Sequence, residues 1–234
     1  MWLRELFEQP KHCCLCANSC RLSELVCKTC QSEVHRQLNP RSLDCERLGS
    51  FPLWSAGDFE AAYARFLKIL KAQPHGLLNT LAHDFLESLA LHWVSRVSES
   101  KPDFVCSIPG QPYRLLWQSD LGALWGEHVA RALNLSLEQN LLKGPMAQWL
   151  RGGSGQKALG RKQRLSGIGA SQRWNLQDAT AKKLKARGLR RVLLVDDVCT
   201  TGSSLIRAAI QLRQNDFEVI GAFTLARRKI RWPA

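Results

Sequence analysis

The sequence lacks the long apolar run that a membrane-spanning helix requires. Such a helix takes about 20 consecutive apolar residues, and no stretch of the 234 residues approaches that length. The opening residues, MWLRELFEQPKHCC, also lack an apolar core followed by a small-residue cleavage site. No segment of the chain repeats another. We therefore expect a cytoplasmic protein with no membrane span.

Acidic residues are nearly missing from one part of the chain. Between Lys143 and Arg191 there are 13 basic residues and one acidic residue, Asp178, so this basic segment carries most of the formal net charge of +13. A solvated surface would account for such a run. A polyanionic partner would also account for it, because a local excess of positive charge concentrates nucleic acid near the surface. For single-stranded DNA the candidate residues are Arg161, Lys162, Arg164, Trp149 and Trp174, which combine cations with rings that can stack on bases.

Cysteine, in contrast, is plentiful and clustered near the N-terminus. Two C-x₂-C pairs, Cys13 with Cys16 and Cys27 with Cys30, are separated by ten residues. In a cytoplasmic protein this spacing indicates a metal site, and four thiolates can close a tetrahedral Zn²⁺ site. A segment this short has no core of its own, so the metal would supply its folding energy. Cys14, Cys20 and Cys45 are surplus thiols, and His35 is either a surface residue or a further ligand.

The stretch from Val192 to Leu205 combines a buried strand with a phosphate-binding pattern. The apolar run from Val192 to Val195 is typical of a parallel strand buried on both faces. Asp196 and Asp197 follow it, at the edge where open α/β sheets bind ligands. Residues 199–204 are small and mostly hydroxyl-bearing, and they lead into an amphipathic helix whose first N–H groups can hold a phosphate. A sugar phosphate suits this combination, since ribose hydroxyls can donate to the carboxylates.

Two acids after an apolar strand also occur in proteins of different function. An ATPase that holds Mg²⁺ with such an acid would need G-x-x-x-x-G-K-S/T upstream, and no stretch of the chain matches it. A receiver domain would carry its acidic pair near its start, whereas this pair lies near the end of the chain. An acidic pair that only caps a loop is a third, purely structural, possibility.

The remaining pattern divides the chain into two units, residues 1–50 and 51–234. Turn-rich residues 39–42 and 49–52 form the predicted linker. Beyond it we predict a helix capped by Asp58, a second amphipathic helix from Leu78 to Trp93, and a first strand from Asp103 to Pro109. Further elements are a helix over 123–133, a short strand over 135–137, a basic helix over 177–187 and a last strand over 218–225. The glycines of residues 144–171 predict a lid or a disordered stretch, and we expect a basic, aromatic-bearing tail from Arg227.

The residues D-D-x-x-T-T-G-x-S, after an apolar strand, resemble the PRPP-binding motif of type I phosphoribosyltransferases. By that resemblance Asp196 and Asp197 would bind the ribose hydroxyls. The 5′-phosphate would be bound by Thr200, Thr201, Gly202, Ser203 and Ser204.

With the N-terminal cysteines, the chain resembles the ComF family of bacterial competence proteins over nearly its whole length. Gln156, Leu159 and Arg164 are similar to a further family pattern, although Gly167 stands where the family has Asn. Residues 117–121 lack the family's Arg-Gly pair. The resemblance implies an α/β fold with a phosphoribosyltransferase-like, open, mainly parallel sheet flanked by helices, preceded by a small zinc module with four cysteine ligands.

The implied function is the handling of incoming single-stranded DNA during natural transformation, with a competence helicase as partner and a site for PRPP or ribose phosphate. An active phosphoribosyltransferase, using PRPP, Mg²⁺ and a nitrogen nucleophile, is the alternative. In that case a general base is needed, and no residue of the sequence stands out as one. A purely structural zinc adaptor is the third possibility, against which the intact PRPP motif argues.

Overall fold

The computed structural model describes residues 11–13, 15–20, 26–38, 46–72, 75–110, 120–143 and 174–228. Several residues singled out in the sequence lie outside these ranges. They are Cys14, Cys45, Trp117, Trp149, Gln156, Leu159, Arg161, Lys162, Arg164 and the Gly-rich residues 144–171.

The described strands are β1 (Lys11–His12), β2 (Ser19–Cys20), β3 (Glu46–Leu48), β4 (Phe51–Asp58), β5 (Phe104–Ser107), β6 (Ser136–Leu137), β7 (Leu142–Lys143), β8 (Asn175–Leu176), β9 (Arg191–Cys199) and β10 (Glu218–Arg227). The described helices are α1 (Lys28–Gln37), α2 (Ala61–Ala72), α3 (His75–Ser98), α4 (Leu121–Leu133), α5 (Asp178–Ala186) and α6 (Ser203–Arg213). No helix within the described ranges is long and apolar enough to cross a membrane.

Six of the strands form one sheet in the order β3-β4-β10-β9-β5-β6. The neighbours from β4 to β6 are all parallel, and only β3 runs antiparallel to its partner β4. Two smaller sheets, β1 with β2 and β7 with β8, are antiparallel pairs. In a parallel sheet the carboxyl ends of the strands share one edge, so β9, at the middle of the sheet, presents its last residues among those of β5 and β10.

The core lies on both faces of this sheet. Along β9, Leu193 and Val195 pack in a cluster with apolar residues of α1, α2, α3 and α4, whereas Val192 and Leu194 pack with residues of α5 and α6. All four side chains are fully buried, as alternation along a strand between two helical layers requires. The predicted α/β class, with an open, mainly parallel sheet flanked by helices, is confirmed.

The turn predicted at Gly49 and Ser50 is present, but the assignments of Phe51, Pro52 and Asp58 were wrong. Phe51 and Pro52, assigned to a linker, begin strand β4, and Asp58, assigned as a helix cap, ends that strand. Pro52, Ser55 and Gly57 have low strand propensity, but β4 pairs with β10 on one side and β3 on the other. Tertiary pairing therefore overrides local preference. Because β3 lies within residues 1–50 yet joins the main sheet, the division of the chain at residue 50 remains a prediction.

The predicted basic tail also begins too early. Arg227 is the last residue of β10, only 6% exposed, and its Nε lies 3.5 Å from Asp58 Oδ1 at the end of β4. Arg227 therefore forms an ion pair with Asp58 inside the sheet. Arg228, the next residue, is exposed, and its N–H donates to Cys199 O at 2.8 Å.

Candidate functional site

The two acids predicted to bind ribose lie at the carboxyl edge of the sheet. Strand β9 does not stop at Val195, as the apolar run suggested, but continues through Asp196 and Asp197 to Cys199. Pairing with β10 extends the strand, since Thr224 lies opposite Asp196 and Arg227 opposite Cys199. Both acids are half-buried.

Asp196 is held where its charge is disfavoured. Burial raises the pKa of Asp196 well above its usual value, the neighbouring charge of Asp197 raises it further, and Lys71 opposes both effects. Its Oδ1 accepts a hydrogen bond from Asp197 N at 2.8 Å, which fixes the carboxyl group at the start of the edge. A ligand that donates hydroxyl groups to these carboxyl oxygens would satisfy them.

A third acid, Asp120, joins this pair and was missed in the sequence. Asp120 caps α4, where its carboxyl oxygens accept from Ala123 N at 3.0 Å and from Gly110 N at 3.2 Å. Burial raises its pKa, and Asp197 adds to the shift. An Asp immediately before an apolar, helix-periodic segment is a cap pattern, so its place on α4 could have been predicted. Its nearness to Asp197 could not.

The start of α4 lies directly against the acid pair. A methyl group added at Gly122 would sit 3.4 Å from Asp197 N and 3.6 Å from Asp196 Oδ1. Because Gly122 has no side chain, the start of α4 can approach Asp196 and Asp197 closely.

Lys71 was also missed as a site residue. Its Nζ lies 2.6 Å from Asp197 Oδ2. The side chains of Lys71 and Asp197 are 30% and 20% exposed, so the ion pair is partly shielded from solvent.

The loop after β9 has the features that a phosphate site requires. Gly202 adopts φ +69°, which favours Gly, and a Cβ there would meet the Leu48 side chain. Helix α6 begins at Ser203, and its first intrahelical bond runs from Ile206 N to Gly202 O. The N–H groups of residues 203–205, which precede Ile206, therefore have no partner within the helix and lie at its open end, where anions bind.

Two of the loop hydroxyl groups form a hydrogen bond with each other. Thr201 Oγ1 donates to Ser203 Oγ at 3.1 Å and accepts from Ser203 N at 3.4 Å. Thr200 and Ser204 are exposed. Of the five predicted loop residues, Thr200, Thr201 and Gly202 lie between the acid pair and α6, and Ser203 and Ser204 are the first two residues of α6.

Trp174, predicted to stack on bases, lies beside this loop. Its indole N–H donates to Ser204 O at 3.2 Å, and its ring packs against the core cluster that contains residues of α5 and α6. The structure therefore brings one end of the basic segment into contact with the predicted phosphate loop. Within the described part of that segment, the exposed cations are Lys143, Lys182, Lys183, Arg187 and Arg190.

The four predicted metal ligands come together at a separate place. Cys13 and Cys16 lie in the turn between β1 and β2, and Cys27 and Cys30 lie at the start of α1. Their sulfur atoms all lie within 4.8 Å of one another, and Cys16 Sγ and Cys27 Sγ are 3.7 Å apart. A tetrahedral zinc site with bonds of about 2.3 Å has sulfur–sulfur edges of about 3.8 Å. This four-cysteine group could hold a metal such as zinc.

The surroundings of these thiols favour a bound cation. Burial acts to raise the pKa of Cys13, but hydrogen bonds from the backbone of Cys27, Leu15 and Cys16 outweigh it and lower the pKa to about 6. Burial raises the pKa of Cys30, and the other three cysteines add to that shift. Four thiolates at this distance repel one another, and a metal cation removes the repulsion.

The fold and its ligand edge define the class of protein, an α/β protein with a mainly parallel sheet and a four-cysteine group near its N-terminus. No family model matches the chain, and no curated protein matches it. Among solved structures, the chain is similar to orotate phosphoribosyltransferase from Aeropyrum pernix, with 20% sequence identity over 60% of this chain and a TM-score of 0.32. The match spans 58% of that protein's chain.

Proposed function

We propose that the chain binds PRPP or a related ribose 5-phosphate at the carboxyl edge of β9. In this proposal Asp196 and Asp197 accept hydrogen bonds from the ribose hydroxyls. The 5′-phosphate occupies the loop from Thr200 to Ser204. Mg²⁺ would accompany PRPP as part of the ligand.

One observation carries the proposal. Two carboxyl groups and the open N-terminus of α6 lie next to each other on one continuous segment, at the edge where parallel sheets bind ligands. Carboxylates suit hydroxyl donors and helix N-termini suit phosphates, so a ligand that joins a diol to a phosphate matches both ends. The D-D-x-x-T-T-G-x-S pattern supports the same ligand.

The test is calorimetric titration of the parent protein and an Asp197→Ala variant with PRPP in excess Mg²⁺. A hydrogen bond to a charged group contributes about 1.5 to 3 kcal/mol, so the variant should bind about 10- to 150-fold more weakly. Asp84→Ala is the matched control, because Asp84 is a fully exposed acid on α3. Equal affinity in parent and Asp197→Ala would refute the assignment.

An active phosphoribosyltransferase is the alternative form of this function. Pyrophosphate release from PRPP in the presence of Mg²⁺ and ammonia distinguishes turnover from binding alone. An enzyme of this class should release pyrophosphate in proportion to protein concentration, and the Asp197→Ala variant should release much less.

We propose, second, a ComF-like role in handling incoming single-stranded DNA, with a helicase partner. The contact between Trp174 and Ser204 favours it, because it joins one end of the basic segment to the proposed phosphate site, and α5 of the same segment carries exposed cations. Stacking on an aromatic ring is worth about 1 to 3 kcal/mol per base. Single strands, whose bases are free to stack, should be bound better than duplex DNA of equal length.

Salt dependence tests the second proposal. If about five phosphates are engaged, log K should fall against log salt with a slope of about −3.5 for single strands. Replacing Arg161, Lys162 and Arg164 together by Ala should reduce that slope by about two and leave PRPP binding unchanged. A control that removes three cations elsewhere, Arg36, Arg65 and Lys68, should leave the slope unchanged. A basic-segment variant with the parent's affinity and slope would show that this segment is only a solvated surface.

We propose zinc as the ion of the four-cysteine group. The 3.7 Å separation of two of its sulfur atoms is close to the edge of a zinc–sulfur tetrahedron. Elemental analysis of protein purified without chelator should give one zinc per chain, and metal-free protein would refute the proposal.

A further inference from the structure

Lys71 holds a position that a surface lysine would not need. Helix α2 is fixed on the sheet by buried side chains, among them Tyr63, whose hydroxyl donates to Leu225 O of β10 at 2.8 Å, and Leu70. Lys71 lies in the last turn of this helix, directly after Leu70. Because the helix is fixed on the sheet, the Lys71 side chain reaches the carboxyl edge of the sheet. Its ammonium nitrogen lies 2.6 Å from Oδ2 of Asp197.

Three acids lie together at the carboxyl edge of the sheet, and a cation beside them would favour the binding of an anionic ligand. Asp120, Asp196 and Asp197 lie close enough together that the charge of Asp197 raises the pKa of both of the others. A ligand with several phosphates would be repelled by three carboxyl groups. Lys71 forms an ion pair with this group of acids, and it is partly buried, so solvent screens its charge less than that of an exposed lysine.

The ammonium group of Lys71 can bind a second acceptor besides Asp197. An ammonium carries three N–H donors, and the bond to Asp197 uses one of them. PRPP has a 5-phosphate, which the loop would take, and a pyrophosphate on carbon 1, next to the hydroxyl-bearing carbon 2. If Asp197 binds the ribose hydroxyls as proposed, a lysine 2.6 Å from its carboxyl oxygen would lie beside those hydroxyls and next to carbon 1.

We propose that Lys71 is a specificity-determining residue, which binds Asp197 and donates its other N–H groups to the anionic substituent on carbon 1 of the bound ribose. This inference rests on the proposed ribose-phosphate site and names its substrate preference. Because ribose 5-phosphate lacks only that substituent, the lysine makes the site prefer PRPP over ribose 5-phosphate.

The test compares the two ligands on the parent and three variants by calorimetry at fixed Mg²⁺. Lys71→Met keeps the apolar stem and removes the charge, Lys71→Arg keeps the charge, and Lys68→Met is the matched control. Lys68 is an exposed lysine of the same helix whose Nζ lies 5.8 Å from the centre of the Phe59 ring. Thermal unfolding of each variant confirms that it is folded.

Lys71→Met should weaken PRPP binding by about 10-fold or more, the effect of one lost charge-assisted hydrogen bond. Its affinity for ribose 5-phosphate should change by less than about 3-fold. Lys71→Arg should stay within about 3-fold of the parent for both ligands, and Lys68→Met should match the parent. The ratio of the two affinities is the decisive quantity, since a purely structural ion pair would affect both ligands alike.

Two results would overturn the inference, and they are distinguishable. A parent that binds both ligands, with a Lys71→Met variant whose affinity ratio is unchanged, refutes the role of Lys71 and leaves the ribose-phosphate site in place. A parent that binds neither ligand refutes the site and the role of Lys71 with it.

Discussion

Asp196 shows at the scale of one residue how a buried acid opposes stability. Burial raises its pKa, and so do the charges of Asp197 and Asp120. Between the unfolded value and this raised folded value, the native state binds more protons than the unfolded state, so this group lowers stability as pH rises. Above the folded pKa the full penalty of the buried charge is present. This cost is consistent with the ribose-binding role that we propose for Asp196.

Replacing Asp196 by Asn should therefore stabilise the protein at pH 8. The amide oxygen can still accept from Asp197 N, and the buried charge is gone. Because burial raises the pKa of Asp196, its charged form costs stability, so the gain should be largest at pH 8 and decrease as pH falls toward about 4. Urea unfolding at pH 8 and pH 5 measures it. The same variant should bind PRPP at least about 10-fold more weakly, the effect of a lost hydrogen bond to a charged group.

The control for this prediction is Asp84→Asn, which removes an exposed charge on α3 and should change stability by less than about 0.5 kcal/mol. A variant at Asp196 that is less stable than the parent at pH 8 would contradict the prediction. It would mean that Lys71 outweighs burial at this carboxyl group.

At the scale of elements, the turn from β9 into α6 depends on one glycine. Gly202 has φ +69°, and a side chain there would meet Leu48 of β3. Alanine at a left-handed position costs about 1 to 2 kcal/mol, and forcing an extra methyl group into a packed contact costs about 1 to 3 kcal/mol more. Gly202→Ala should lower the free energy of unfolding by about 2 to 5 kcal/mol in urea titration, by addition of these two effects.

Gly188 supplies the matched control, because it has φ +75° with open space around its Cα. Gly188→Ala should lose only the backbone part, about 1 to 2 kcal/mol. Shortening Leu48 to Ala in the Gly202→Ala background should recover part of the difference. Equal losses at the two glycines would show that Leu48 gives way without cost.

Sequence patterns predicted the elements that are locally consistent. The apolar run of β9, the amphipathic faces of α2 and α4, and the C-x₂-C pairs each carry a period or a spacing, and the structure has all of them. Strand β4 was missed because its pairing with β10 is remote in sequence and its own residues favour turns. Extension of β9 past Val195 depends on the same partner strand.

The site was predictable only where its residues are neighbours in the chain. Asp196, Asp197 and the loop to Ser204 form one continuous pattern. Lys71 and Asp120 come to Asp197 from other elements, on α2 and before α4, and only the fold brings them together. No spacing rule relates Lys71 to a carboxylate so remote in sequence. These two residues set the charge of the site, which therefore could not be inferred from the sequence.

At the scale of the whole molecule, the four-cysteine group is connected to the site through α1. Val34 and Leu38 follow the second cysteine pair and are buried in the core cluster that contains residues of α2, the helix that carries Lys71. On the other side of the site, Leu48 of β3 lies against Gly202. The N-terminal part of the chain therefore contacts both the helix that carries Lys71 and the loop at Gly202.

Metal removal should then unfold the N-terminal part and spare the sheet. Because metal binding supplies folding energy to a segment without its own core, a strong chelator should abolish amide protection over residues 11–38 in hydrogen exchange. Amides of β9 and β10, buried between two helical layers, should stay protected. Cys13→Ser should show the same loss before any chelator is added, and chelator should change that variant no further. Loss of protection in β9 on chelation would contradict this prediction, since it would make the metal group part of a single cooperative unit with the sheet.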